Sequence, residues 1–183
     1  MTGDAPNNVA GAVPAHIAAI ATHVPDHILG NAELADLYPE WPADKILDKT
    51  GIATRHIAAA DETALDLGVA ACEKLFARAE IARDDVDFLI FCTQAPDYIL
   101  PTSACIMQDR LKLRDGIGAL HINLGCSGFV YGLSLAAGLI AGGMASTVLL
   151  VTADTYSKFI HPQDKSVRTL FGDGAAATLI PRN

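Results

Sequence analysis

The chain has 183 residues, 51% of them hydrophobic and 6% aromatic, with 13 Lys and Arg against 21 Asp and Glu for a formal net charge of −8. That length and apolar share allow one domain with a buried core, and the acidic balance, with no basic stripe carrying interleaved aromatics, excludes nucleic acid as the expected partner. The 4 cysteines lack CxxC spacing, which excludes a disulfide framework and a zinc site and points to a reducing, cytoplasmic setting.

Residues 1–14 read as a flexible lead with acidic Asp4, no basic cluster and no apolar run, so they are not a signal peptide. Residues 15–183 are then the expected domain. The stretch 16–24 predicts a buried strand ending at Pro25. Asn31 is placed to cap a short helix through 37, and 43–49 predicts a second one, stopped by Gly51 at the position that follows a helix end. Ala64, Leu67, Gly68, Ala71 and Leu75 recur at helical spacing and define one face of a helix over 62–79. The nearly all-apolar run 88–93 predicts a strand covered on both faces, as in parallel sheets. Pro101-Thr102-Ser103 opens a helix carrying Cys105, Met107 and Leu111; a strand at 119–124, a helix at 127–142 and a strand at 147–152 follow. After the turn Gly172-Asp173-Gly174, 175–180 is the last strand.

No Asp, Glu, Lys or Arg occurs in 116–153, yet glycines and polar residues keep every apolar run below membrane length. A buried helix followed by a buried strand is expected there, with no membrane partner. Strand and helix alternate throughout, which predicts an α/β layered fold with a mostly parallel sheet and helices on both faces. The chain stops just after an apolar strand, which suggests a fragment.

Cys126 is the residue on which function turns. The run Ala119-Leu120-His121-Ile122-Asn123-Leu124 breaks into Gly125-Cys126-Ser127-Gly128, and a long helical pattern begins. A thiol at such a junction lies over the positive end of a helix, whose unpaired N–H groups favour thiolate over thiol. Cys72, Cys92 and Cys105 sit inside apolar runs and read as buried, inert thiols. A cysteine nucleophile also needs a base and an oxyanion site. The 6 histidines supply no convincing base. His121 precedes Cys126 by five residues with its facing undecided, His56 follows Arg55 in a loop, and His161 precedes Pro162. The two glycines of Gly172-Asp173-Gly174 fit a tight strand-entry turn better than a phosphate loop.

Asn123-Leu124-Gly125-Cys126-Ser127-Gly128-Phe129, together with Phe171-Gly172-Asp173-Gly174-Ala175-Ala176, resembles the N-terminal half of a ketoacyl-acyl-carrier-protein synthase III, a condensing enzyme of the thiolase fold. Lys49-Thr50-Gly51-Ile52 with Arg55, and Asp97-Tyr98-Ile99-Leu100-Pro101-Thr102-Ser103-Ala104-Cys105, are similar to further segments of that family. The resemblance implies a thiolase-like layered fold of which only the N-terminal half is present. It implies acyl transfer from acyl-CoA to Cys126, then decarboxylative condensation with malonyl-acyl carrier protein to a 3-oxoacyl-acyl carrier protein, with no cofactor and no metal. The partners it implies are acyl-CoA, acyl carrier protein and a second copy of the chain in a homodimer, with 119–124 and 101–111 near the two-fold axis. The family's catalytic histidine and asparagine belong to the second half, so this chain alone is expected to be inactive.

The substrate-binding residues that the resemblance implies are Lys45, Lys49, Arg55 and Leu100. Lys45 stands where many relatives have an adenine-stacking tryptophan, Lys49 where they have an arginine, and Asp48 where they have a threonine; Trp41 is four residues from the matching position. A lysine offers a point charge and no stacking plane. Leu100 replaces an aromatic that limits acyl length in relatives. The alternatives are an acyltransferase or heterodimer subunit of a secondary-metabolite or glycan-acylation pathway, and a cysteine α/β-hydrolase. Against the hydrolase, Leu124 occupies the place of the first glycine of a Gly-x-Cys-x-Gly elbow.

Overall fold

The computed structural model describes residues 15–78 and 82–183. The expected lead at 1–14, and Ala79 at the end of the expected long helix, lie outside the described residues. In chain order the elements are β1 (Ala19–His23), β2 (His27–Gly30), α1 (Asn31–Leu37), α2 (Ala43–Thr50), β3 (Thr54–Ile57), α3 (Ala64–Arg78), β4 (Phe88–Cys92), α4 (Ser103–Arg110), β5 (Gly118–Ile122), α5 (Gly128–Ala141), β6 (Thr147–Asp154), α6 (Lys165–Arg168) and β7 (Gly174–Pro181). Among the described residues, no helix is long and apolar enough to cross a membrane.

The main sheet has the order β1-β7-β6-β4-β5. Its centre is built from the apolar runs of β4 and of β6 at 148–151, because only a strand covered on both faces can bury successive side chains. Alternation along β6 divides the core. Leu149 and Val151 face α3 and α4, packing with Leu67, Ala71, Leu75, Met107 and Leu111. Val148 and Leu150 face α5, packing with Ala136, Leu139 and Ile140. Helices therefore cover both faces, as expected.

The sheet is mixed where a mostly parallel one was expected. β4 runs parallel to β5 and β6, whereas β7 pairs antiparallel with both β6 and β1. The cause lies in the connection between β6 and β7. It carries only single-turn helices, so it never crosses a face of the sheet, and β7 starts opposite the residue where β6 ends, Gly174 beside Asp154. The buried strand expected at 16–24 is instead the edge strand β1. Among the described residues it has a partner on one side only, and of its own residues only Ala21 is buried while Ile20 is 51% exposed.

A two-stranded antiparallel sheet, β2 with β3, was not anticipated, and it puts Arg55 and His56 in a strand. Its strands are too short and too far apart in sequence for alternation to reveal them. With α1 and α2 it encloses a satellite core of Leu29, Leu34, Tyr38 and Ile46. Asn31 is the first residue of α1, not its cap: its amide donates to Ile52 O at 2.9 Å and accepts from Arg55. α2 ends as expected, with Gly51 at φ 70°, a left-handed conformation that glycine adopts freely.

Candidate active site around Cys126

β5 ends at Ile122, and the chain turns through Gly125-Cys126-Ser127 into α5. The turn is tied by Gly128 N–H donating to Gly125 O at 2.8 Å and Tyr131 N–H donating to Ser127 O at 3.0 Å. Cys126 sits immediately before the cap residue Ser127, and its side chain is exposed. From below, the buried Cys92 thiol donates to Leu124 O at 3.2 Å. Burial pushes the Cys92 thiol up from its ordinary range, only partly offset by that hydrogen bond. The thiol also explains the glycine that opens α5: a Cβ at Gly128 would lie 2.3 Å from Cys92 Sγ.

Gly128→Ala is accordingly expected to destabilise the intact protein by about 1–3 kcal/mol through overpacking. Adding Cys92→Ala should return part of that loss, since the two side chains compete for one volume. Urea denaturation of the single and double variants checks this. Strictly additive losses would refute the shared-volume account.

Cys126 opens onto a cavity of about 320 Å³ lined also by Gln94, Gly125, Asp154, Tyr156, Phe171 and Gly172. These residues come from the ends of β4, β5 and β6 and the start of β7, the sheet edge where α/β proteins gather their ligands. Tyr156 and Phe171 meet edge to face, with centroids 5.0 Å apart, and form the apolar wall. Asp154 Oδ1 accepts from Gln94 N–H at 2.7 Å and Thr93 Oγ1 at 3.0 Å. Burial pushes the Asp154 carboxyl up despite those bonds, and the nearby charge of Asp173 acts in the same direction. The folded chain thus holds this proton more readily than the unfolded one, so Asp154 weakens folding as pH rises through that range.

The Gly172-Asp173-Gly174 turn fixes the far wall and is a clasp, in line with a tight turn. Asp173 is buried; its carboxylate accepts from Ala58 N–H at 2.8 Å, Ser157 N–H at 2.9 Å and Ser157 Oγ at 2.5 Å, while its own N–H donates to His56 O at 2.8 Å. Gly172 permits this approach, because a Cβ there would stand 2.9 Å from His56 O.

Of the expected site residues, the structure brings only Cys126 to this cavity. Arg55 is 3% exposed, and its guanidinium is taken up by the carbonyls of Thr169 and Ile52 and the amide of Asn31. It braces β3 from inside and presents no donor at the surface. Leu100 lies on an exposed loop, 84% accessible. Lys45 and Lys49 stand together elsewhere, with ammonium groups 5.6 and 5.8 Å from the Trp41 ring centroid, and Lys165 joins them at 5.7 Å. Trp41 lies two residues before α2, and Lys45 and Lys49 stand at i and i+4 within it, so the helix sets both ammonium groups on one side.

No histidine lines the cavity. His121 pairs in register with Phe91 on the α3 side of the sheet, its Nε2 3.2 Å from Thr93 O, on the face opposite α5. His56 Nδ1 lies 2.6 Å from Pro25 O. Cys72 and Cys92 are buried as expected, but Cys105 is exposed, because α4 turns only Ala104, Met107 and Ser103 inward. Gln94, Asp154 and Tyr156 carry no signal in the sequence, since each is a single polar residue at or just past the end of a strand with no telling spacing.

Residues 120–183 match the family model described as 3-oxoacyl-[acyl-carrier-protein (ACP)] synthase III. A beta-ketoacyl-[acyl-carrier-protein] synthase III 2 from Halalkalibacterium halodurans is 41% identical over 169 residues, covering 91% of this chain and 49% of the relative. A crystal structure of a 3-oxoacyl-(acyl-carrier-protein) synthase III superposes with a TM-score of 0.91 at 62% identity, covering 93% of this chain and 50% of that one. The 3-oxoacyl-(acyl-carrier protein) synthase from Burkholderia xenovorans LB400 gives 0.89 at 37% identity, covering 93% of this chain and 49% of its own. The chain spans about half the length of the curated relatives it matches. The shared layered architecture and the Cys126 turn thus agree with what the matches say: the chain belongs to the 3-oxoacyl-acyl-carrier-protein synthase III family.

Proposed function

We propose that this chain is the N-terminal, cysteine-bearing half of a decarboxylative condensing enzyme. The observation that carries the reading is an exposed thiol at the mouth of a cavity, at a strand-to-helix turn, in a chain of this family. The Cys126 sulfur attacks the thioester carbonyl of an acyl-CoA, the coenzyme A thiol leaves, and the acyl group stays on sulfur. The Cys126 backbone N–H, just ahead of α5, helps hold the oxyanion during that step. Malonyl-acyl carrier protein then loses carbon dioxide, its carbanion attacks the acyl carbon, and Cys126 leaves as thiolate with formation of a 3-oxoacyl-acyl carrier protein.

No cofactor enters this sequence of steps, and the acyl-CoA and the carrier protein are substrates. The base and second amide that the condensation requires belong to a second half of similar fold, and a homodimer completes the assembly. Lys45 and Lys49, already gathered at Trp41, offer positive charge for the phosphates of the acyl donor. The direct test is mass spectrometry of the intact protein after incubation with a panel of acyl-CoAs. The expected result is one acyl adduct per chain, on Cys126. An adduct on another residue, or none with any donor, would refute the reading.

A further inference from the structure

The cavity beside Cys126 holds an amide with nothing to bind. The Gln94 side chain makes no hydrogen bond among the described residues, although a primary amide carries two donors and an acceptor. Gln94 is an exposed residue that lines the cavity beside Cys126. Its backbone is held by the 2.7 Å bond from N–H to Asp154 Oδ1, and its Oε1 lies against the turn, 2.5 Å from where a Cβ on Gly125 would stand. The amide thus lies against the turn one residue from Cys126, in a cavity that Tyr156 and Phe171 also line.

An acyl chain on Cys126 would run past the amide with its first few carbons. A plain alkyl chain leaves the amide unpaired and strips its water, which costs affinity. A chain with an oxygen substituent near the thioester pairs with it. The carboxylate of Asp154 on the same cavity makes a neutral substituent the better fit. We infer that Gln94 is a specificity-determining residue that selects short acyl groups bearing a neutral hydroxyl or oxo group close to the thioester. This rests on the acylation of Cys126 proposed above.

The test compares initial rates of Cys126 acylation by 3-hydroxybutyryl-CoA and butyryl-CoA, in the intact protein and in its Gln94→Leu variant. Leucine keeps most of the volume and removes the amide. The readout is the ratio of the two rates within each protein, so a smaller folded fraction cancels. The intact protein should favour the hydroxyacyl donor about tenfold, the worth of one hydrogen bond, and Gln94→Leu should bring the ratio to about one or invert it. Acylation with an unchanged ratio in Gln94→Leu, as when another protein group occupies the amide, overturns the inference alone. Preference of the unmodified protein for butyryl-CoA does the same. A Cys126 that neither donor acylates overturns the inference together with the reading on which it rests.

Discussion

Cys126→Ala is expected to abolish acyl uptake and condensation by the intact protein, by at least about a thousandfold, because no other group can carry the covalent intermediate. The fold should survive. Cys126 is exposed and makes no hydrogen bond among the described residues, so the change in unfolding free energy should stay within about 0.5 kcal/mol. Condensation rate and thermal unfolding measured on the same preparation separate the two claims. Undiminished condensation by Cys126→Ala would overturn the mechanism. Thiol labelling gives a second view: Cys126 and Cys105 are open to reagent, whereas Cys72 and Cys92 are buried. Burial, with the nearby charge of Glu73 acting in the same direction, pushes the Cys72 thiol far above its ordinary range, so it should label only on unfolding.

The second large effect is expected at Asp173. One buried carboxylate receives two backbone N–H groups and a hydroxyl from two separate segments, the residue after β3 and the turn after β6. Asp173→Ala leaves those donors unpaired in a site that water reaches poorly, at a cost of about 3 kcal/mol. Asp173→Asn retains one acceptor oxygen and should lose less. Because Gly172 lines the Cys126 cavity, the alanine variant should also acylate more slowly under conditions where it remains folded. Urea midpoints compared across the three proteins check the order. A loss below about 1 kcal/mol for Asp173→Ala would show that the clasp contributes little.

The sheet and its covering helices could be read from the sequence because their signals are long. β4 is an unbroken apolar run, β6 carries another at 148–151, and α3 repeats its apolar face over several turns. Short elements carry no such signal. β2 and β3 have four residues each, and they exist because Arg55, Asn31 and the satellite core hold them, a tertiary cause invisible to local pattern. The same limit explains Arg55: a charged residue reads as a surface group until the carbonyls that enclose it are known. At the site, glycine chemistry marked Cys126 and the Gly172 turn. Gln94 and Asp154 reach the cavity only because β4, β6 and β7 bring their ends together, and no spacing rule encodes that convergence.

The insertion of β7 between β1 and β6 also orders the assembly of the molecule in time. β4 needs to find only β5 and β6, reached through one intervening helix or two, to build the platform on which Cys126 rests. β1 cannot zip until Ala19 meets Leu179, almost the whole described chain later. Closing so long a loop is entropically late, so that seam forms after the platform in a folding trajectory. It is also the seam where the sheet first frays, at a strand with one partner and one buried side chain. Slow steps in refolding would then report on the β1 edge while the cysteine turn is already in place.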